Sequence, residues 1–205
     1  MTEAPHDRRK AKQIISFLEG IERLKFETRH AWSSTGRRES IAEHSWRLAM
    51  FALVLGPEFP TVDMDRVLRM AVVHDLGEAI DGDVSAKYET AGVEEKLRRE
   101  QVAMDKLLAP LDPPARGEIL DLWDEYNRGA TAEARMTKAI DKLETILQHN
   151  QGENPGDFDY AFNLEYGISA SHGAAALPGG DLIRAIRVEL DGATRRRAGT
   201  PASEE

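Results

Sequence analysis

Apolar residues return every three or four positions through most of the chain, and no segment alternates apolar with polar as a half-buried strand would. The pattern predicts an all-α fold without a sheet, a bundle of roughly seven helices. Ile14, Phe17, Leu18, Ile21 and Leu24 share one face of a first helix over about 11–26, and a polar loop follows over 30–39. Ser40 with Glu43 three residues later is a capping box, so a second helix starts there and runs to about Leu55. Gly56, Pro57 and Pro60 break it. Thr61 or Asp63 caps a third helix, whose apolar run includes Val67, Met70, Ala71 and Val73, and a DGD turn follows at 81–83. Further helices are expected at about 91–109, at 114–127 behind Asp112 and Pro113, and at 132–149 behind Thr131, with Gly129 as the stop between the last two. The pattern weakens over 152–180, which reads as an irregular excursion, and a final helix covers 181–190. One domain over 11–192 is therefore expected, with a flexible segment 1–10 and a disordered tail 193–205.

Composition narrows the chemistry. The absence of cysteine excludes a thiolate zinc site, an iron–sulfur cluster and a thiol nucleophile, so a metal here must be held by His, Asp or Glu. Lys and Arg number 27 against 36 Asp and Glu, a formal charge of −9, which argues against a protein that coats duplex nucleic acid. Residues 1–38 run the other way, with nine basic against five acidic residues, enough for a positive patch that meets a small anion. No stretch approaches the ~18 consecutive apolar residues of a membrane span. A soluble cytoplasmic protein is the expectation.

Three polar residues interrupt the apolar faces. His44 shares a face with Leu48, Phe51 and Leu55 and so points inward, where it reads as a hydrogen-bonded core residue or as a ligand. His74 and Asp75 close the apolar run Met70-Ala71-Val72-Val73, which carries two adjacent polar groups into a core. One divalent metal would satisfy both, with an imidazole nitrogen and a carboxylate oxygen. Glu78 lies one turn beyond His74, where an acid or base acting beside that metal would stand, although alone it reads first as an exposed helix glutamate. Trp46, Trp123 and Tyr126 read as core or interface packing.

His44, the His74-Asp75 pair and Asp141 within KAIDKLETIL form an H…HD…D pattern that resembles the HD-domain phosphohydrolases. More narrowly, RESIAEHSWRLAM, VVHDLGEAIDGD and LWDEYNRGATAEARMTKAIDKLE are similar to the YfbR-like 5′-deoxynucleotidases and their eukaryotic relatives, over about 17–160. The resemblance implies metal ligation by His44, His74, Asp75 and Asp141, catalytic roles for Glu78 and Asp83, and phosphate binding by Arg29 and Lys87. Bacterial members follow that arginine with Trp, where this chain has His30. One divalent ion, Mn, Co, Zn, Fe or Ni, is implied, together with a small nucleotide substrate and a homodimer that aromatic residues of the 114–127 helix would suit. A second metal would draw on Asp81 and Asp83, but the pattern lacks the further His/Asp pairs it would need. The implied activity is removal of the 5′-phosphate from nucleoside monophosphates by a water held on the metal. Cleavage of another nucleotide phosphate bond, in a di- or triphosphate or an alarmone, and non-catalytic metal or nucleotide binding are the alternatives.

Overall fold

The structure is a computed structural model that describes residues 5–84, 87 and 92–199. It opens with α1 (Pro5–Gly20), continued by a 3-10 turn over Ile21–Lys25. An antiparallel hairpin follows, β1 (Thr28–Trp32) and β2 (Arg38–Ser40), with Thr28 opposite Ser40 and Trp32 opposite Arg38. Gly36 supplies the positive φ of 76° that its turn requires. This corrects the expectation of no sheet. Only Ala31 of β1 is fully buried, and its half-buried neighbours are mostly polar or aromatic, so the strand carries no alternating apolar signal.

Local signals set the boundaries of the long helices. α2 (Ile41–Leu55) starts at the Ser40 capping box, in which the Glu43 side chain accepts from the Ser40 N–H at 2.8 Å. α3 (Met64–Val73) is capped by Asp63, and the short α4 (Glu78–Asp81) follows it. α5 (Val93–Leu107) precedes α6 (Pro113–Arg128), which has Asp112 as its cap and ends at Gly129 in the left-handed region. Thr131 caps α7 (Ala132–Gln151), and α8 (Ala161–Glu165), α9 (Ile168–Ala175) and α10 (Asp181–Arg197) complete the described chain. Among the described residues, the seven helices of ten residues or more correspond to the seven expected, and α4, α8 and α9 are additional.

Three expectations are corrected at the edges. The 152–180 segment contains α8 and α9; α9 is built of small residues, Ala174 and Ala175 among them buried, so it approaches α7 closely without an apolar stripe. Gly167 makes that approach possible, because it has a φ of 71° and a Cβ there would lie 2.5 Å from the Lys142 Cβ. The last helix continues to Arg197, since Thr194 donates to Asn150 Oδ1 at 3.0 Å and Arg197 donates to the Tyr160 hydroxyl. At the other end α1 begins at Pro5, within the segment expected to be flexible. Ile14 and Leu18 of α1 are exposed, so its predicted face reaches the core only through Phe17, Ile21 and Leu24. Residues 1–4 and 200–205 of the expected flexible ends lie outside the described residues.

Two apolar clusters make the core. One gathers Leu48, Val67, Ile140, Leu143 and Ile183, the other Ile41, Met70, Met104, Leu122 and Trp123. α2, α3 and α7 contribute to both, and α7 is buried on two faces. One face is apolar, while the other carries Thr137, Asp141, Glu144, Thr145 and Gln148, all buried. Among the described residues, no helix is long and apolar enough to cross a membrane.

Candidate metal centre and substrate cavity

The three central helices place their polar residues together. His44 on α2 is fully buried, its Nε2 lying 3.4 Å from Asp141 Oδ1 on α7 and 3.8 Å from Asp75 Oδ2. His74 caps the C-terminus of α3, and its Nε2 is 3.0 Å from Asp75 Oδ2. The two imidazole centroids are 5.4 Å apart. The Nε2 atoms of His44 and His74 are both buried without a hydrogen-bond partner. Their other nitrogens are engaged: His74 Nδ1 lies 3.0 Å from the Ala71 carbonyl, and His44 Nδ1 meets Glu144 Oε2. The Ala71 carbonyl accepts only from an N–H, so His74 Nδ1 carries a hydrogen and Nε2 is the nitrogen turned to the carboxylates.

The carboxylates stay ionised. Burial would raise Asp75, but the imidazoles of His74 and His44 bring it to about 2. Burial opposes the charge on Asp141 too, and Lys142 together with His44 holds it well below the usual carboxylate range. Its outer oxygen, Oδ2, accepts from the Tyr126 hydroxyl at 2.7 Å and from Lys142 Nζ at 2.8 Å, which leaves Oδ1 toward His44. Two orphaned imidazole nitrogens beside two ionised carboxylates are costly unless a cation joins them, and two nitrogens with two hard oxygens fit a divalent ion of intermediate softness.

A cavity of about 400 Å³ opens on this centre, within the ~300–1,000 Å³ usual for small-molecule sites. Glu78, the first residue of α4, lines it with Oε2 buried and unpartnered, and burial followed by Asp75 and Asp83 pushes its pKa well above the usual glutamate range. Asp83 also lines the cavity and is raised, first by burial and then by Asp75. Arg29 reaches it from β1. Burial opposes its charge, but Glu144 and Glu39 keep the guanidinium protonated. Its Nη1 donates to Glu39 Oε2 at 2.9 Å and its Nη2 to Thr145 Oγ1 at 2.8 Å.

Not every expected residue joins this group. Lys87 does not line the metal cavity: its Nζ donates to Asp159 Oδ2 at 2.9 Å beside a smaller pocket bounded by His30, Trp32, His149 and Phe158. Most of the VSAKYE segment around it lies outside the described residues. Asp81 is exposed, lies 3.9 Å from Arg99 Nε and does not line the cavity. Trp123 and Tyr126 are buried, so they form no dimer face, whereas Trp46 is exposed. Glu144, Lys142 and Lys138 carry no signal in the sequence, and His149, which reads there as a histidine without partners at ligand spacing, lines the cavity with its Nδ1 2.8 Å from Asn163 Oδ1.

A helical bundle with one small hairpin that gathers two histidines and two aspartates beside one cavity, with a buried acid and an arginine near them, has the make-up of a metal-dependent phosphohydrolase. The family model "HD domain" matches residues 21–179. The chain is 36% identical over 146 residues to human 5′-deoxynucleotidase HDDC2, covering 70% of each protein. It is 37% identical over 145 residues to the Schizosaccharomyces pombe 5′-deoxynucleotidase hdd1, covering 68% of this chain and 72% of that one. A solved structure described as a predicted metal-dependent phosphohydrolase from Magnetospirillum magnetotacticum MS-1 superposes with a TM-score of 0.76 at 30% identity, over 97% of this chain and 100% of the other. The chain belongs to the HD-domain 5′-deoxynucleotidase family.

Proposed function

We propose that the protein removes the 5′-phosphate from deoxyribonucleoside monophosphates, using one divalent ion held by His44, His74, Asp75 and Asp141. The observation that carries this reading is the pair of buried, unpartnered Nε2 atoms facing two ionised carboxylates at a nucleotide-sized cavity. A divalent ion bound there supplies a Lewis acid for a phosphoryl oxygen and lowers the pKa of water. Arg29 uses three N–H groups on Glu39, Glu144 and Thr145, which fixes its plane and leaves two donors for phosphate oxygens. Burial together with Asp75 and Asp83 favours the protonated form of Glu78, from which a proton can pass to the leaving 5′-oxygen, and Asp83 is raised in the same direction.

The charge around the cavity favours a monoester. Its walls carry five carboxylates, Asp75, Glu78, Asp83, Glu100 and Asp141, against the four cations Arg29, Lys96, Lys138 and Lys142. A divalent ion turns that small negative excess positive, the sign that a phosphomonoester dianion requires. A di- or triphosphate would add negative charge for which these walls hold no surplus cation. Lys87, held by Asp159, is in our reading a residue of the neighbouring pocket and not a phosphate contact.

The test is phosphate release from a panel of ribo- and deoxyribonucleoside mono-, di- and triphosphates, using metal-stripped protein resupplied with Mn, Co or Zn. Turnover of deoxynucleoside monophosphates that depends on added metal is expected. Pyrophosphate release, or turnover confined to triphosphates, would overturn the monoesterase reading. We further place the protein in the cytoplasm as a homodimer. Trp46, Met50, Leu53 and Val54 form an exposed apolar stripe along α2, and this supports a self-associating face. Sedimentation equilibrium should return twice the chain mass, and Trp46→Glu should return the monomer.

A further inference from the structure

Glu144 is fully buried, yet it is neither a candidate ligand of the centre nor a group that lines the cavity. It lies one helical turn beyond Asp141 on α7, as Arg47 lies one turn beyond His44 on α2. The two helices therefore meet in two rungs, His44 against Asp141 and Arg47 against Glu144. Glu144 Oε1 accepts from Arg47 Nε at 2.6 Å. Oε2 meets His44 Nδ1 and lies 3.5 Å from Arg29 Nη1.

We infer that Glu144 is a positioning residue that fixes His44 in the tautomer presenting Nε2 to the metal, and that through the same oxygen it ties Arg29 to that histidine. The carboxylate oxygen facing the ring accepts, so His44 Nδ1 carries the hydrogen of the shared contact and Nε2 is left as the nitrogen that would meet a metal. That is the atom found buried and unpartnered beside Asp75 and Asp141. A carboxylate behind an imidazole also raises its basicity as a ligand. Glu39, His44 and Glu144 do bring three ligand-type atoms together, but Arg29 donates to Glu39 and both Arg29 and Arg47 surround Glu144. Two guanidiniums exclude a second cation from that cluster.

The inference rests on His44 being a metal ligand and not on which phosphate is cleaved, so its test reads the metal. Metal-stripped wild type, Glu144→Gln and Arg47→Met are titrated with Mn²⁺ by calorimetry. Glu144→Gln is expected to bind about 10–100-fold more weakly. Arg47→Met removes a partner of the carboxylate but leaves the His44 contact, and should stay within about threefold of wild type, which separates positioning from general loss of the buried network. Because the Gln variant leaves two guanidiniums short of charge and can be less stable, a measurement on the wild type completes the test. In ¹⁵N-histidine spectra of the Zn²⁺-loaded protein, His44 should carry its proton on Nδ1. Equal Mn²⁺ affinity in Glu144→Gln, or a His44 proton on Nε2, overturns the inference while the metal centre stands. A wild type that binds no divalent ion overturns the centre itself, and this role with it.

Discussion

Glu78→Gln should lower turnover of the preferred monophosphate by about 10²–10⁴-fold while Mn²⁺ affinity stays within a fewfold of wild type. The amide keeps the shape of the side chain and cannot carry the proton. Glu78 is not one of the groups converging on the two Nε2 atoms, so the loss should fall on kcat. Stability should move the other way. The folded-state pKa of Glu78 is raised, first by burial and then by Asp75 and Asp83. As pH rises past the ordinary glutamate pKa, the unfolded chain releases this proton while the folded chain retains it, so the folded state is progressively disfavoured until its own raised pKa is reached. The metal-free variant escapes that penalty. Urea melts of metal-free protein at pH 5 and pH 8 should show Glu78→Gln gaining on wild type at the higher pH. If the variant turns over at the wild-type rate, Glu78 is not the proton donor; if it is inactive because it no longer binds Mn²⁺, Glu78 belongs to the centre.

The readable part of this protein is the part governed by local chemistry. Ser40, Asp63, Asp112, Thr131 and Gly129 mark helix ends because a cap is a contact within three or four residues, and each is found where its sequence places it. His44 and the His74-Asp75 pair stand out as polar residues on faces otherwise apolar. Asp141 does not: it lies about 100° around the helix from Ile140, on what reads as a solvated flank, and only the family resemblance nominates it. The structure shows why. α7 buries two faces, and Thr137, Asp141, Glu144 and Gln148 recur at helical spacing on the second. A polar stripe that lines a site has the same period as one that meets water, and its distinguishing mark is uncharged members, Thr137, Thr145 and Gln148, where Lys and Glu would otherwise dominate. Tyr126 is misread for a related reason: its ring packs in the core as expected, while its hydroxyl supports Asp141. The hairpin is missed because β1 faces a cavity and so carries polar and aromatic residues instead of an alternating pattern.

Removing the metal should be the most disruptive change short of unfolding. Without a cation, Asp75 and Asp141 repel each other and two imidazole nitrogens remain buried and unpaired. An ion that binds only the folded state stabilises it by about 2.7 kcal/mol at a hundred times its Kd. For a chain of this size each kcal/mol moves Tm by about 2–4 °C, so saturating Mn²⁺ should raise Tm by about 5–10 °C over chelator-treated protein, and the same chelation should abolish turnover. Asp141→Asn tests the cause. An amide can satisfy the Tyr126 hydroxyl and Lys142 only by turning its carbonyl oxygen toward them, which points the NH₂ at the centre, where it cannot ligate. The variant should therefore show no Mn²⁺-dependent rise in Tm, no measurable turnover and a metal-free Tm lowered by the loss of charge opposite Lys142. A full Mn²⁺-dependent shift in Asp141→Asn would remove Asp141 from the ligand set and leave the centre to His44, His74 and Asp75, the three residues whose ligand atoms lie within 4.8 Å of one another.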